Sequence, residues 1–96
     1  MIPKNRRPTH PGIMLWEEFM VPMELTQTEL AKHLQWTHAK LNEIINGKRG
    51  ISTEAALALS DAFGTTPDLW LNLQNNYDLW EALQTHKKYP KLKRAA

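Results

Sequence analysis

The sequence contains no cysteine and no apolar run approaching the roughly 18 residues that a membrane-spanning helix needs. Without cysteine, disulfide scaffolds, thiol catalysis and cysteine-based zinc sites are excluded. The polar, proline-broken start over residues 1–11 also lacks the apolar stretch of a signal peptide. We therefore expect a cytoplasmic protein with no membrane partner.

Strand signals are missing as well, because the β-branched residues are scattered and never alternate over four or more positions. The chain has 96 residues, enough for one domain with a modest core. Apolar residues make up 42% of the chain and charged residues 23%, a composition typical of folded proteins. These features predict a single all-α domain.

Positive charge is confined to the two ends of the chain and to one internal window. Between residues 8 and 86, four cations stand against ten acids, a net charge of −6. All four cations lie in the window 32–49, which holds one acid, Glu43. Such a window indicates a localised contact with a polyanion. A solvated charged face with two disordered basic tails explains the charge pattern equally well.

Capping signals and apolar spacing divide the chain into five helices. In the first helix, apolar residues recur at helical spacing at Ile13, Trp16, Phe19 and Met20. The first helix is expected to begin at Pro11 and to end before Pro22, and the second to begin with a capping box of Thr26 and Glu29. The third should run from a cap at Thr37 to Asn46–Gly47, and the fourth from a cap at Ser52 or Thr53 to Gly64. The fifth should begin at Thr66–Pro67.

Residues 27–46 have the spacing of a helix-turn-helix. The small side chain of Ala31 lets the second helix cross closely, and the turn between the helices is only Gln35–Trp36. The residues expected to face away from the core are mostly polar. They are Thr37, His38, Ala39, Lys40, Asn42, Glu43 and Asn46. An ordinary αα-hairpin with a polar outer face is the alternative, and the cation window favours DNA binding.

Several of these side chains have chemistry suited to DNA. Gln27 and Thr28 are phosphate candidates, or only caps. Thr37 and His38 are groove candidates, although His38 is also compatible with a solvated surface histidine. Lys40 is expected to contact a phosphate or a guanine, and Asn42 an adenine. Glu43 is expected to accept a hydrogen bond from cytosine or only to repel a misplaced DNA backbone. Lys48 and Arg49 are expected to contact phosphates.

The fifth helix has more apolar surface than the roughly 100° stripe that docking onto one core requires. Either it is buried on two sides of its own fold or it covers a partner, and we favour a homodimer. The expected interface residues are Leu69, Trp70, Leu73, Tyr77, Trp80 and Leu83.

No nucleophile–base pair, glycine-rich phosphate loop or metal-ligand spacing of histidines is present. We therefore expect no catalytic residues, no metal, no cofactor and no enzymatic activity. The expected organisation is a flexible basic arm over residues 1–10, a DNA-binding and dimerisation domain over 11–84, and a basic tail over 85–96.

Residues 8–83 resemble the HigA-type antitoxins of the Xre-like class, a family also called virulence-associated protein I. The matching segments are RPTHPG at 7–12, LTQTELA at 25–31, INGKRGI at 45–51 and WLNLQNNYDLW at 70–80. The resemblance implies a five-helix lambda-repressor-like fold. It also implies a dimer that represses its own operon at palindromic DNA and neutralises a RelE-like (HigB-type) ribonuclease toxin.

The sequence departs from this family within the helix-turn-helix, in the turn and at the start of its second helix. Gln35 occupies a turn position that is often glycine, so we expect a non-glycine residue at positive φ. Residues 37–40 read Thr-His-Ala-Lys where relatives often carry Ser and Arg, which leaves the operator sequence undetermined.

The resemblance does not give the residues that contact the toxin. Eight acids outside the predicted DNA-contact segment suggest a surface that binds a basic toxin, with ordinary solubilising charge as the alternative. These acids are Glu17, Glu18, Glu24, Glu54, Asp61, Asp68, Asp78 and Glu81. The alternative function is a stand-alone Xre-type regulator without a toxin partner.

Overall fold

The computed structural model describes residues 7–93, which form five helices and no strand. Helix α1 is α-helical over Pro11–Met14 and π-helical over Leu15–Met20, followed by α2 (Gln27–Leu34), α3 (His38–Ile45), α4 (Thr53–Phe63) and α5 (Pro67–Leu83). The predicted all-α, five-helix class is confirmed. No helix in this part of the chain is long and apolar enough to cross a bilayer.

The predicted caps begin α2, α3, α4 and α5. At α2 the box is complete, because Glu29 N–H donates to Thr26 Oγ1 at 3.1 Å and Thr26 N–H donates to Glu29 Oε1 at 3.0 Å. These hydrogen bonds from Thr26 hold the pKa of the Glu29 carboxyl below its usual value. Helices α3, α4 and α5 are capped by the hydroxyls of Thr37, Ser52 and Thr66.

The core receives side chains from all five helices. Trp70 is its largest buried residue; its ring lies 5.3 Å from that of Phe19, and its Nε1–H donates to Thr65 Oγ1 at 2.8 Å. The buried hydrophobic residues are Leu15, Met20, Leu30, Ala31, Leu41, Ile44, Ile45, Ile51, Ala55, Ala56, Leu59 and Trp70.

Helix α1 ends at Met20, before Pro22 as expected. Of the four residues that its spacing places on one face, Phe19 and Met20 pack in the core, whereas Ile13 and Trp16 do not. Ile13 and Trp16 are 40% and 38% exposed, whereas Leu15 and Met20 are fully buried. The reason is the π-helical stretch, in which bonds reach back five residues, as from Val21 N–H to the Trp16 carbonyl. A period of 3.6 therefore misassigns the faces of α1.

The segment before α1 packs against α5. Arg7 lies over the rings of Tyr77 and Trp80, with its Cζ 5.9 Å and 5.2 Å from the two centroids, and His10 caps α1. The flexible arm predicted over residues 1–10 therefore does not extend to residue 10, because burial of His10 fixes that end. Residues 1–6 and 94–96, with Lys4, Arg6 and Arg94, lie outside the described residues; residues 85–93 are exposed.

Candidate nucleic-acid interface

The turn between α2 and α3 adopts the conformation that its sequence predicts. Gln35 has φ 59° and ψ 35°, so a non-glycine residue occupies the left-handed region. The Trp36 N–H donates to the Ala31 carbonyl at 2.9 Å, and the Gln35 N–H donates to the Lys32 carbonyl at 3.2 Å. These two bonds satisfy carbonyls at the end of α2 and offset the steric cost of the positive φ.

The start of α3 is the exposed part of this unit. Thr37, His38 and Ala39 are all exposed, and the Thr37 hydroxyl accepts from Lys40 N–H at 3.1 Å. The Lys40 ammonium lies 4.5 Å from the centroid of the Trp36 ring, within the range of a cation–π contact. The ammonium is therefore held beside the turn, close to the exposed end of the helix.

The starts of α2 and α3 meet at one groove of about 510 Å³. Gln27 and Thr28 line it from α2, and His38 and Asn42 line it from α3. Trp16 and neighbouring residues of α1 contribute to its walls. The structure thus brings the phosphate candidates Gln27 and Thr28 to the same groove as His38 and Asn42.

Three amide side chains, two of which line this groove, are hydrogen-bonded in series. Asn46 Nδ2 donates to Asn42 Oδ1 at 3.2 Å, and Asn42 Nδ2 donates to Gln27 Oε1 at 3.2 Å. Asn42 is half-buried, so its amide engages neighbours at both ends instead of projecting outward to an adenine. Asn46 is exposed, as expected from its position at the end of α3.

The cation window contains one ion pair. Arg49 Nη2 lies 2.7 Å from Glu43 Oε1, and Arg49 Nε donates to the same oxygen at 2.8 Å. The half-buried Glu43 is therefore a partner for Arg49, a role that the sequence reasoning did not assign. Lys48 is exposed in the loop after α3.

Three residues that were not among the predicted site residues lie around the C-terminal end of α3 and the loop after it. A Cβ at Gly12 would overlap the backbone carbonyl of Ile44, so α1 and α3 pack with no space for a side chain there. An isolated glycine in a helix is a recognisable signal of close approach. Gln74 Oε1 accepts from Ile51 N–H at 2.7 Å and ties the following loop to α5, without any signal in the sequence.

His10 is the third of these residues. Its buried Nδ1 accepts from Gly12 N–H at 2.9 Å, and its ring meets the Tyr77 ring edge-on at 4.9 Å. Burial lowers the pKa of His10, and the nearby Asp78 carboxylate partly opposes that shift. The neutral imidazole is the form that can accept the Gly12 N–H.

The predicted dimer residues do not form one exposed face of α5. Trp70 is fully buried in its own chain, so its assignment to an interface is wrong. Leu69 and Leu73 pack against the core, and Tyr77 and Trp80 are partly covered by Arg7. Much of the additional apolar surface of α5 is thus covered by the chain itself. Leu83 is 52% exposed, and Leu79, which was outside the predicted set, is 50% exposed.

Comparison with known proteins identifies the family. A helix-turn-helix domain model matches residues 6–73. Virulence-associated protein I of Dichelobacter nodosus is 44% identical over 82 residues, covering 84% of this chain and 76% of the relative. Antitoxin HigA-1 of Vibrio cholerae is 37% identical over 88 residues, covering 91% and 82%. The uncharacterised HTH-type transcriptional regulator YbaQ of Escherichia coli is 43% identical over 77 residues, covering 80% and 68%.

Solved structures match with the same fold. Antitoxin GraA in complex with its operator has a TM-score of 0.78 at 42% identity and covers 84% of this chain and 82% of that one. Antitoxin HigA of Pseudomonas aeruginosa with the higBA promoter has a TM-score of 0.80 at 34% identity and covers 90% and 100%. None of these five proteins is named as an enzyme. The chain belongs to the Xre-type helix-turn-helix family that includes virulence-associated protein I and the HigA antitoxins.

Proposed function

We propose that the chain binds operator DNA through the start of α3 and the start of α2. The observation that carries this proposal is the exposed end of α3 at Thr37, His38 and Ala39, beside the Lys40 ammonium. The rest of the body is acidic, so this window is the part of the surface suited to a polyanion. The complexes of GraA with its operator and of HigA with the higBA promoter support DNA binding by a protein of this fold.

The side chains of this surface divide by chemistry. Thr37, His38, Ala39 and Lys40 enter the major groove, where base edges carry the sequence code. Contacts with the DNA backbone are made by residues beside the protein groove and in the loop after α3, namely Gln27, Thr28, Asn46, Lys48 and Arg49. Glu43 holds Arg49, and Asn42 lies behind the contact surface.

Selection of binding sequences from random DNA tests this proposal. The protein should enrich one sequence, and its affinity should fall steeply from about 50 mM to about 300 mM salt. His38→Ala with Lys40→Ala should reduce discrimination between that sequence and scrambled DNA. The matched control for discrimination is Lys32→Ala with His33→Ala, which removes the same two residue types at exposed positions on α2. Equal losses in the two double variants would contradict the assignment.

The proposed binding unit is a dimer that places two copies of α3 in successive major grooves, about 34 Å apart. Leu79 and Leu83 lie one helical turn apart and are exposed, so they are the available apolar surface near the end of α5. Sedimentation should show a dimer for the native protein and a monomer for Leu79→Glu with Leu83→Glu. Leu57→Glu, at a similarly exposed position on α4, should stay dimeric. A strict monomer at tens of micromolar would rule out this arrangement.

We further propose that the chain neutralises a basic ribonuclease toxin. The eight acids named above as a toxin surface are exposed, and a protein that binds RNA presents positive charge. The relative named antitoxin HigA-1 supports this role. Expression of the small reading frame beside this gene should stop growth, and co-expression should restore growth with co-purification. A harmless neighbour would favour the stand-alone regulator, the description carried by YbaQ.

A further inference from the structure

The hydrogen bonds among the side-chain amides of Asn46, Asn42 and Gln27 run in one direction, from donor to acceptor. We infer that Asn42 is a positioning residue that orients the Gln27 carboxamide, so that Gln27 offers N–H donors and no acceptor to DNA. This inference rests on the proposed DNA-binding function and assigns a chemical selectivity within that surface.

The direction of these hydrogen bonds is fixed at Asn46. Asn46 Nδ2 donates to the main-chain carbonyl of Asn42 at 2.9 Å, and a carbonyl oxygen can only accept. The same Nδ2 donates to Asn42 Oδ1, which leaves the Nδ2 end of Asn42 facing Gln27. Asn42 Nδ2 donates to Gln27 Oε1, so the oxygen of Gln27 faces inward. Each amide orientation follows from the one before it.

The outer end of the series is therefore a donor. An isolated glutamine amide presents either its oxygen or its nitrogen, because the two ends have nearly the same shape. Here the oxygen is engaged, and among residues 7–93 the Nε2 of Gln27 has no hydrogen-bond partner. Gln27 and Asn42 line the groove together with Thr28 and His38, beside the proposed contact surface.

A donor at this position selects among the atoms of DNA. Phosphate oxygens, purine N7, guanine O6 and thymine O4 accept hydrogen bonds, whereas the amino groups of adenine and cytosine do not. The Gln27 amide therefore binds a phosphate or one of these acceptors and disfavours an amino group. Asn42 acts through Gln27 and does not itself contact the DNA.

A double-mutant cycle on DNA affinity tests this assignment with the sequence enriched by selection. Gln27→Ala should weaken binding about three- to tenfold, the range expected for one hydrogen bond. Asn42→Ser should weaken it by a similar or smaller factor. In the Gln27→Ala background, Asn42→Ser should cause no further loss. Asn76→Ser, the same substitution at an exposed position of α5, is the matched control and should have no effect.

The outcomes separate the inference from the function on which it rests. Losses that multiply in the double variant would mean that Asn42 contacts DNA directly and would overturn the assignment. Normal binding by Asn42→Ser would overturn it as well. Failure of the native protein to enrich any sequence would instead remove the DNA-binding proposal. Thermal unfolding of each variant separates a loss of fold from a loss of contact.

Side-chain amide exchange provides a second measurement that needs no variant. In the free protein, the Nδ2 protons of Asn42 should exchange with solvent more slowly than the Nε2 protons of Gln27. Addition of the selected DNA should protect the Gln27 protons. Protection of the Asn42 protons alone, with no change at Gln27, would contradict the positioning role.

Discussion

At the C-terminal end of α3, Ile44 and Ile45 are buried, whereas at its N-terminal end Thr37, His38 and Ala39 are exposed. The buried end touches α1 at Gly12, and its loop is tied to α5 through Gln74. The exposed end has a hydroxyl cap and the contact between Lys40 and Trp36.

This difference separates positioning from contact within one helix of eight residues. A side chain that packs in the core has lost its freedom to meet a ligand, and a side chain at the surface contributes little to holding the helix. Substitutions at the buried end should therefore act first on stability. Substitutions at the exposed end should act on DNA binding with little change in stability.

Gly12→Ala should give the largest effect. The added methyl would overlap the Ile44 carbonyl, so the C-terminal end of α3 must move away from α1. We expect the free energy of unfolding to fall by about 3 kcal/mol, at the upper end for overpacking. Denaturant unfolding measures this change. Ala39→Gly, which removes a methyl at the exposed end, should cost about 1 kcal/mol or less. Similar costs for the two variants would contradict the comparison.

Gln74→Met should have the next largest effect. Methionine keeps the length of the side chain but leaves the Ile51 N–H without its acceptor, in a part-buried position. The expected loss is about 1–3 kcal/mol of unfolding free energy, the cost of an unsatisfied donor. The control is Asp78→Ala, which removes the exposed bond from Gln74 Nε2 and keeps the bond from Ile51 N–H to Gln74 Oε1. That variant should change stability by about 0.5 kcal/mol or less.

Acidification should weaken the buried end through His10. The folded state lowers the pKa of His10, so folding favours the neutral imidazole. The stabilisation is fully present above the unfolded pKa of about 6.5 and is lost as pH falls through the lower folded pKa. Unfolding measured from about pH 8 to about pH 5 should show this loss. His10→Asn keeps an acceptor for Gly12 N–H and cannot titrate, so its profile should be flatter.

The local part of this fold follows from the sequence. The capping box at Thr26 and Glu29, the hydroxyl of Thr37 and the positive φ of Gln35 depend on residues within a few positions of one another. Hydrogen bonds between residues this close along the chain require particular residue types at short spacings, so the sequence shows them as a pattern. The start of α3 was found for the same reason, since its exposed residues follow directly from its cap.

The non-local part does not follow from the sequence. The side chain of Gln74 reaches a backbone N–H that lies 23 residues away, and nothing near either residue marks the pair. A helical pattern gives the apolar faces of α5 but not which neighbour covers each face, so Trp70 was placed at an interface although it is buried. The π-helical stretch of α1 changes the period itself, which a pattern read at 3.6 residues per turn misses.

Glu43→Gln should have the smallest effect on stability and should sharpen the comparison between the two ends. Both side chains of the pair between Glu43 and Arg49 are about half exposed, so its loss should cost about 0.5 kcal/mol or less. DNA affinity should nevertheless rise, because the substitution removes a carboxylate from the proposed contact surface and releases Arg49 toward phosphate. Affinity titrations at low and physiological salt measure the gain, which should shrink as salt screens the charge.

The control is Glu54→Gln, which removes the same charge at an exposed position on α4. A long-range effect of net charge would give the two variants similar gains, whereas a local effect at α3 favours Glu43→Gln alone. Unchanged affinity in Glu43→Gln would mean that Arg49 does not face the DNA backbone. The contact surface would then consist of the exposed start of α3 and the groove beside it, without the loop that follows the buried end.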